Sequence, residues 1–369
     1  MVLPYLLYYY TAAASLLIAA SWSWRSPSLP AINTHMMRRS VSSDIVSLIT
    51  RPPISRHLSP KSIPSMPSFS MPHRALSHAA SCGLSAKRNT PRNRIIDGEE
   101  TVTGQYPWIV SLQAPTHISG EWEPYCAGSL IAPNALLTAA HCSPSNRAEK
   151  YKHLGRARFR IVRLVAGCRT WDRAENDSRC QIIILPDDSF VDHPAYATDY
   201  IIDASIAILP QPFEMTDYVR TICLPPEQEY YQGMATTAGF GSHSGSTAPR
   251  DHSAMMYVHL NILPPSVCAN FNEDTDAYNF TSEPLPPYTF DIEKEICVGF
   301  SSNTRGFCHG DSGGPLMVKI GPQNFVIGIV RAVEEGCIVP GYPGLAVRVT
   351  SLRRWIDHVL HNQPNNNGK

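Results

Sequence analysis

Hydrophobic positions fall into three textures along the chain. Residues 2–20 are almost wholly apolar and end in small residues at Ala19-Ala20-Ser21. From residue 22 to residue 81, apolar side chains are scattered among Ser, Pro, Arg and His with no lasting period. From Ile95 onward short apolar runs recur, among them Trp108–Leu112, Ser129–Ile131, Leu136–Thr138, Phe159–Val162 and Phe325–Val330, punctuated by Gly, Pro and Asn. Runs of that length bounded by turn residues predict many short strands and an all-β sandwich or barrel. Near the end, Trp355, Ile356, Val359 and Leu360 are spaced i, i+1, i+4, i+5, one face of a helix. The polar tail from His361 to Lys369 is expected to fray.

The first texture predicts a signal peptide over residues 1–21, although its start carries no Lys or Arg. An uncleaved signal anchor is the rival, because the stretch is nearly long enough to span a bilayer; no other segment is. The second texture holds too little apolar surface to offset the entropy of ordering it, so residues 22–94 read as a disordered basic pro-region. Charge sharpens that division. Residues 1–94 hold eleven Lys/Arg and one acid, Asp44, leaving 20 basic and 30 acidic residues for the rest of a formally neutral chain. A basic leader thus precedes an acidic domain over residues 95–369. The leader reads as a solvated segment; no motif supports a nucleic-acid or anionic-surface role. Arg38-Arg39 is either a processing site or two exposed charges.

Ten cysteines without a C-x-x-C pair predict an oxidised, secreted protein with disulfides and no metal. Candidate chemistry lies at Gly310-Asp311-Ser312-Gly313-Gly314-Pro315, at Thr138-Ala139-Ala140-His141-Cys142, and at Asp203 in an apolar run between them. A serine hydroxyl is a weak nucleophile unless a base lies within hydrogen-bond reach and a third group orients that base. Ser312, His141 and Asp203 supply those three types. Gly310 lets the backbone turn so that its N–H, with that of Ser312, faces a developing oxyanion.

In the order His, Asp, Ser, residues 95–360 resemble the trypsin/chymotrypsin family of serine proteases, with a likeness to arthropod clip-type members that lacks their six-cysteine module. The resemblance implies two antiparallel six-stranded β-barrels with a C-terminal helix, and a triad in the cleft between them. Read back without gaps from Thr216-Asp217-Tyr218-Val219-Arg220 and Ile222-Cys223-Leu224-Pro225, the family's acid falls on Asp203; Asp199 is out of register and reads as a loop acid. Arg94-Ile95-Ile96-Asp97-Gly98 resembles a zymogen activation site, where cleavage after Arg94 would free the Ile95 amine to pair with Asp311. The resemblance also implies the bridges Cys126–Cys142, Cys308–Cys337, Cys268–Cys297, Cys168–Cys180 and Cys82–Cys223, the last retaining a light chain after activation.

The substrate pocket departs from the family. Gly306 stands six residues before Ser312, where trypsin-like members carry Asp, and Phe307 follows it. Arg331-Ala332-Val333 replaces the family's Ser-Trp-Gly, while Gly344 is kept. These residues imply cleavage after small or medium apolar residues. Arg331 is expected either to point to solvent or to compete with His141 for Asp203. Asn176 and Asn279 head glycosylation sequons. Asp172, Glu175 and Asp177 lack metal-loop spacing and read as a solvated loop. His193, His243, His252, His309 and His358 have no partner legible in the sequence, though His309 borders the cleft. The reading is a secreted serine endopeptidase made as a zymogen, with no cofactor. Its expected partners are a protein or peptide substrate, an activating trypsin-like protease and a possible protein inhibitor. The alternative is a protease-like binding or cofactor protein with little turnover.

Overall fold

The structure is a computed structural model that describes residues 82–86, 99–115, 121–146, 161–242, 254–269, 290–299, 306–332 and 343–362. All of them lie in the unit Phe69–Lys369. The expected signal peptide, most of the basic leader, the activation peptide bond and the polar tail beyond Asn362 lie outside the described residues; His361, expected to fray, ends the final helix.

A short strand β1 (Glu99–Glu100) opens the described domain. The first sheet follows as β2 (Ile109–Pro115), β3 (Trp122–Ala132), β4 (Ala135–Thr138), β5 (Ile161–Ala166), β6 (Gln181–Pro186), β7 (Phe190–Asp192) and β8 (Ser205–Ile208). The second comprises β9 (Gly233–Gly239), β10 (Met256–Ile262), β11 (Glu295–Gly299), β12 (Pro315–Ile320), β13 (Gln323–Ala332) and β14 (Gly344–Arg348). A one-turn helix, α1 (Pro265–Cys268), lies between β10 and β11, and α2 (Val349–His361) ends the fold.

Both sheets are antiparallel. The second runs β10-β11-β14-β13-β12-β9 and closes through a β9–β10 pairing, with β1 added to β10. That ring is the expected six-stranded barrel. The first runs β6-β5-β2-β3-β4-β8-β7, seven strands among the described residues, one more than expected. The extra strand is β7, three residues that pair with β8.

Period-two burial marks the half-exposed strands. In β10, Val258 and Leu260 face inward and His259 faces solvent. Strand β4 is buried on both faces, so it reads as a continuous apolar run. One core cluster runs from Trp108, just before β2, and Leu137 in the first sheet to Val347 in the second and Ile356 on α2. Trp108 is fully buried, and its indole N–H points to Met317 Sδ at 3.0 Å. The helix predicted from Trp355, Ile356, Val359 and Leu360 lays that face on the same cluster.

Candidate active site

The ladder between β4 and β8 places the first two candidate residues. Thr138 is registered with Ser205 at the ends of those strands, so the chain just beyond Thr138 faces the chain just before Ser205. His141 sits in the 3-10 turn Ala140–Cys142, and the Cys126–Cys142 bridge ties that turn to β3. The His141 backbone N–H donates to Asp203 Oδ1 at 2.8 Å, and His141 Nδ1 meets Oδ2 at 2.5 Å. Both carboxylate oxygens are therefore engaged by one residue. The ring's other nitrogen is left on the opposite edge, where a base would need it. Burial would push the Asp203 carboxyl up; its interactions with His141, and the positive charge of Arg331, outweigh burial and hold it below the ordinary aspartate range.

Ser312 comes from the second sheet, in the turn before β12. Its carbonyl accepts from Ala127 N–H at 2.8 Å, beside the bridged Cys126. Gly313 has φ +79°, and a Cβ there would lie 2.2 Å from Thr138 Oγ1 and 2.4 Å from the Ala127 carbonyl oxygen. Only glycine lets this turn seat itself against the strand that leads to His141. Gly310 also has a positive φ, +100°. The Asp311 carboxylate accepts from the N–H groups of Gly241 (2.8 Å) and Cys308 (2.9 Å). Ile95, its expected partner, lies outside the described residues, as does Arg94.

The residues expected to line the pocket are arranged around an aromatic ring. Phe307 is fully buried and packs with Val258, Leu260, Ile296 and Ala346 inside the second barrel. A Cβ on Gly344 would lie 2.5 Å from Phe307 Cζ. Gly344 thus makes room for Phe307, a coupling the sequence reading did not draw. Gly306 brings no charge. Neither expectation for Arg331 survives as stated. Its side chain is fully buried, not solvent-facing, and pairs with the equally buried Glu295 at 2.7 Å. A buried cation needs a counter-charge, and Glu295 provides it while His141 keeps both oxygens of Asp203. The backbone of Ala332 ends β13; Val333 lies outside the described residues.

A family profile described as Trypsin matches residues 95–356. The chain belongs to the trypsin family. It is 30% identical to a venom serine protease of Bombus ignitus, over 73% of this chain and 68% of that protein. It is 28% identical to a proclotting enzyme of Tachypleus tridentatus, over 76% and 69%. Coagulation factor IX of Cavia porcellus is 26% identical over 71% of this chain and 80% of its own length. This trypsin-family chain is a serine endopeptidase, a hydrolase whose substrates are proteins.

Four bridges have the pairing that the family resemblance implied: Cys82–Cys223, Cys126–Cys142, Cys168–Cys180 and Cys268–Cys297. Cys308 is also disulfide-bonded, and Cys337 lies outside the described residues. These bridges are consistent with an extracellular protein. Cys126, His141 and Cys142 cluster as metal ligands might in a reduced protein, but both sulfurs are consumed by their bridge. Cys82 anchors the segment 82–86, whose Gly83 donates its N–H to Thr221 and accepts from Asn324 N–H. Asn176 is exposed, and Asn279 lies outside the described residues. Glu175 pairs with Arg163 and Asp177 with Arg179. His193 packs edge-on to Trp355, and burial lowers its pKa. His358 meets the Asn362 side chain, and the His309 carbonyl accepts from Ser242; His243 and His252 lie outside the described residues. Asp199 is paired with Lys294 at 3.0 Å. Sequence reasoning missed Glu295 altogether. The available signal was that Glu295, last of the charged segment Asp291-Ile292-Glu293-Lys294-Glu295, runs directly into the apolar stretch Ile296-Cys297-Val298.

Proposed function

We propose that this endopeptidase is secreted as a zymogen, is activated by cleavage after Arg94, and cuts proteins after small or medium apolar residues. The observation that carries the reading is the double engagement of Asp203 by His141, with the Ser312 turn seated against the same strand end. In this reading Ser312 Oγ attacks the scissile carbonyl while His141 takes its proton. The N–H groups of Gly310 and Ser312 stabilise the oxyanion. His141 then returns the proton to the leaving amine, and a water repeats the cycle on the acyl-enzyme. Asp203 keeps the imidazole in the useful tautomer throughout.

Specificity follows from volume and charge. The Phe307 ring fills space beside Gly344, and Gly306 offers no carboxylate to a Lys or Arg side chain. The relatives' names, a proclotting enzyme and a coagulation factor, support a place in an extracellular activation cascade, with another protease as activator. The Cys82–Cys223 bridge would keep the light chain attached after cleavage.

The test is mass spectrometry of activated protein exposed to a fluorophosphonate, with Ser312→Ala as control. Stoichiometric labelling at Ser312 together with a new N-terminus at Ile95 is expected. Cleavage at Ile95 without labelling would overturn the assignment of nucleophile and oxyanion hole.

A further inference from the structure

The Arg331–Glu295 pair is the one fully buried ion pair among the described residues that the proposed chemistry leaves unused. Both side chains have zero exposure, and the separation is 2.7 Å. Burying two charges is costly, and an apolar pair of similar volume often serves a fold as well or better. The position of the pair suggests what it does. Arg331 falls at a register shift in the β13–β14 ladder, between Val330 and Ala332, where a side chain is re-aimed. Immediately before it, the Val330 carbonyl accepts from Gly313 N–H (2.8 Å) and Val330 N–H donates to Gly314 (2.9 Å), so Arg331 is one residue from the strand contact that holds the Ser312 turn. Its guanidinium lies 5.9 Å from the Tyr200 ring, three residues before Asp203. Tyr200 and Ile201 pack on the cluster of Cys268, Cys297 and Leu345. On the same side Lys294, next to Glu295, pairs with Asp199 and Asp291 at 3.0 Å each.

Resting on the triad reading above, we propose that Arg331, anchored by Glu295, is a positioning residue that couples the Ser312 turn to the Asp203 loop and acts on catalysis through Asp203. Arg331 touches no reacting atom in this scheme. Glu295 fixes where the guanidinium sits, and its position between Tyr200 and the nucleophile strand keeps Asp203 charged and aligned with His141. Among the described residues, the charged and titratable groups that act on Asp203 are His141 after β4, Asp192 on β7 and Arg331 on β13. Removing Arg331 together with Glu295 leaves Asp192 and His141 in place, and of the two lost charges Arg331 is the one that acts on Asp203. The Asp203–His141 pair then loses a positive neighbour and takes up its inactivating proton more readily, so activity should fail at a higher pH on the acid side.

The experiment uses the full chain, cleaved at Arg94 and checked by N-terminal sequencing. The readout is the second-order rate of fluorophosphonate labelling at Ser312 across pH. Arg331→Met alone would strand Glu295 and is expected to fold poorly, so the deciding variant is Arg331→Met/Glu295→Gln, in which neither charge remains. This double variant is expected to fold and to label about tenfold more slowly at neutral pH. Its acid limb should move up by roughly half a pH unit. Arg331→Lys should restore most of the limb position. A folded double variant with the wild-type rate and limb would overturn the proposal while leaving the triad reading intact. Failure of activated wild type to label would overturn both.

Discussion

The two walls of the cleft obey different rules. On the first-sheet wall, His141 and Asp203 make two short contacts in the arrangement that the family resemblance implied. On the second-barrel wall, Arg331 with its partner Glu295 departs from that resemblance, and Phe307 fills the space beside the retained Gly344. The difference reflects what each wall must do. Proton transfer demands particular groups within hydrogen-bond distance, and a displaced imidazole loses orders of magnitude in rate. A binding wall must satisfy volume and charge, and many side-chain sets can do so. The first wall is therefore recognisable from isolated motifs, whereas the second has been refilled as a unit.

Substitutions can test that contrast, beginning with the largest effect. Asp203→Asn should lower kcat about 10⁴-fold with little change in fold, because the amide favours the wrong imidazole tautomer. Steady-state hydrolysis of a small ester measures it, and a loss below tenfold would place the orienting acid elsewhere. Phe307→Ala should destabilise the domain by about 3–5 kcal/mol through the cavity it leaves. It should also raise kcat/KM for bulky residues before the scissile bond by about tenfold relative to alanine. Denaturant melts and a panel of peptides differing at that residue read the two effects. An unchanged preference would separate Phe307 from the pocket and make it purely core.

The smallest effect concerns acid stability. The Asp203 pKa is depressed on folding, so its contribution is fully present above the ordinary aspartate value of about 3.9 and is lost as pH falls through its own lower value. Asp192 has the opposite sign: burial raises its pKa despite the hydrogen bond from Asn146. Its contribution is present below the ordinary value and is lost as pH rises through the raised one. Asp192→Asn should therefore unfold at slightly higher denaturant than wild type at neutral pH, with the difference vanishing in acid. A destabilised Asn variant at neutral pH would reverse the assigned sign.

Much of this protein was written locally. Strands β4 and β13 and helix α2 announce themselves by apolar runs or a helical period, because burial is a property each segment must satisfy on its own. Ser312 was legible for a related reason: its turn needs special neighbours, Gly310 and Gly313, that leave a trace in sequence, whereas Asp203 was placed by its register in the family resemblance. Residues joined only by folding left no such trace. Nothing near Arg331 in the chain says that Glu295, 36 positions away, will share its burial. Likewise, Gly344 is a glycine in sequence terms and a socket for Phe307 only once β14 is in place. Local pattern fixed the elements and the reactive groups, since each depends on near neighbours. Charge pairing and pocket volume are sums over distant strands, and only the closed barrel decided them.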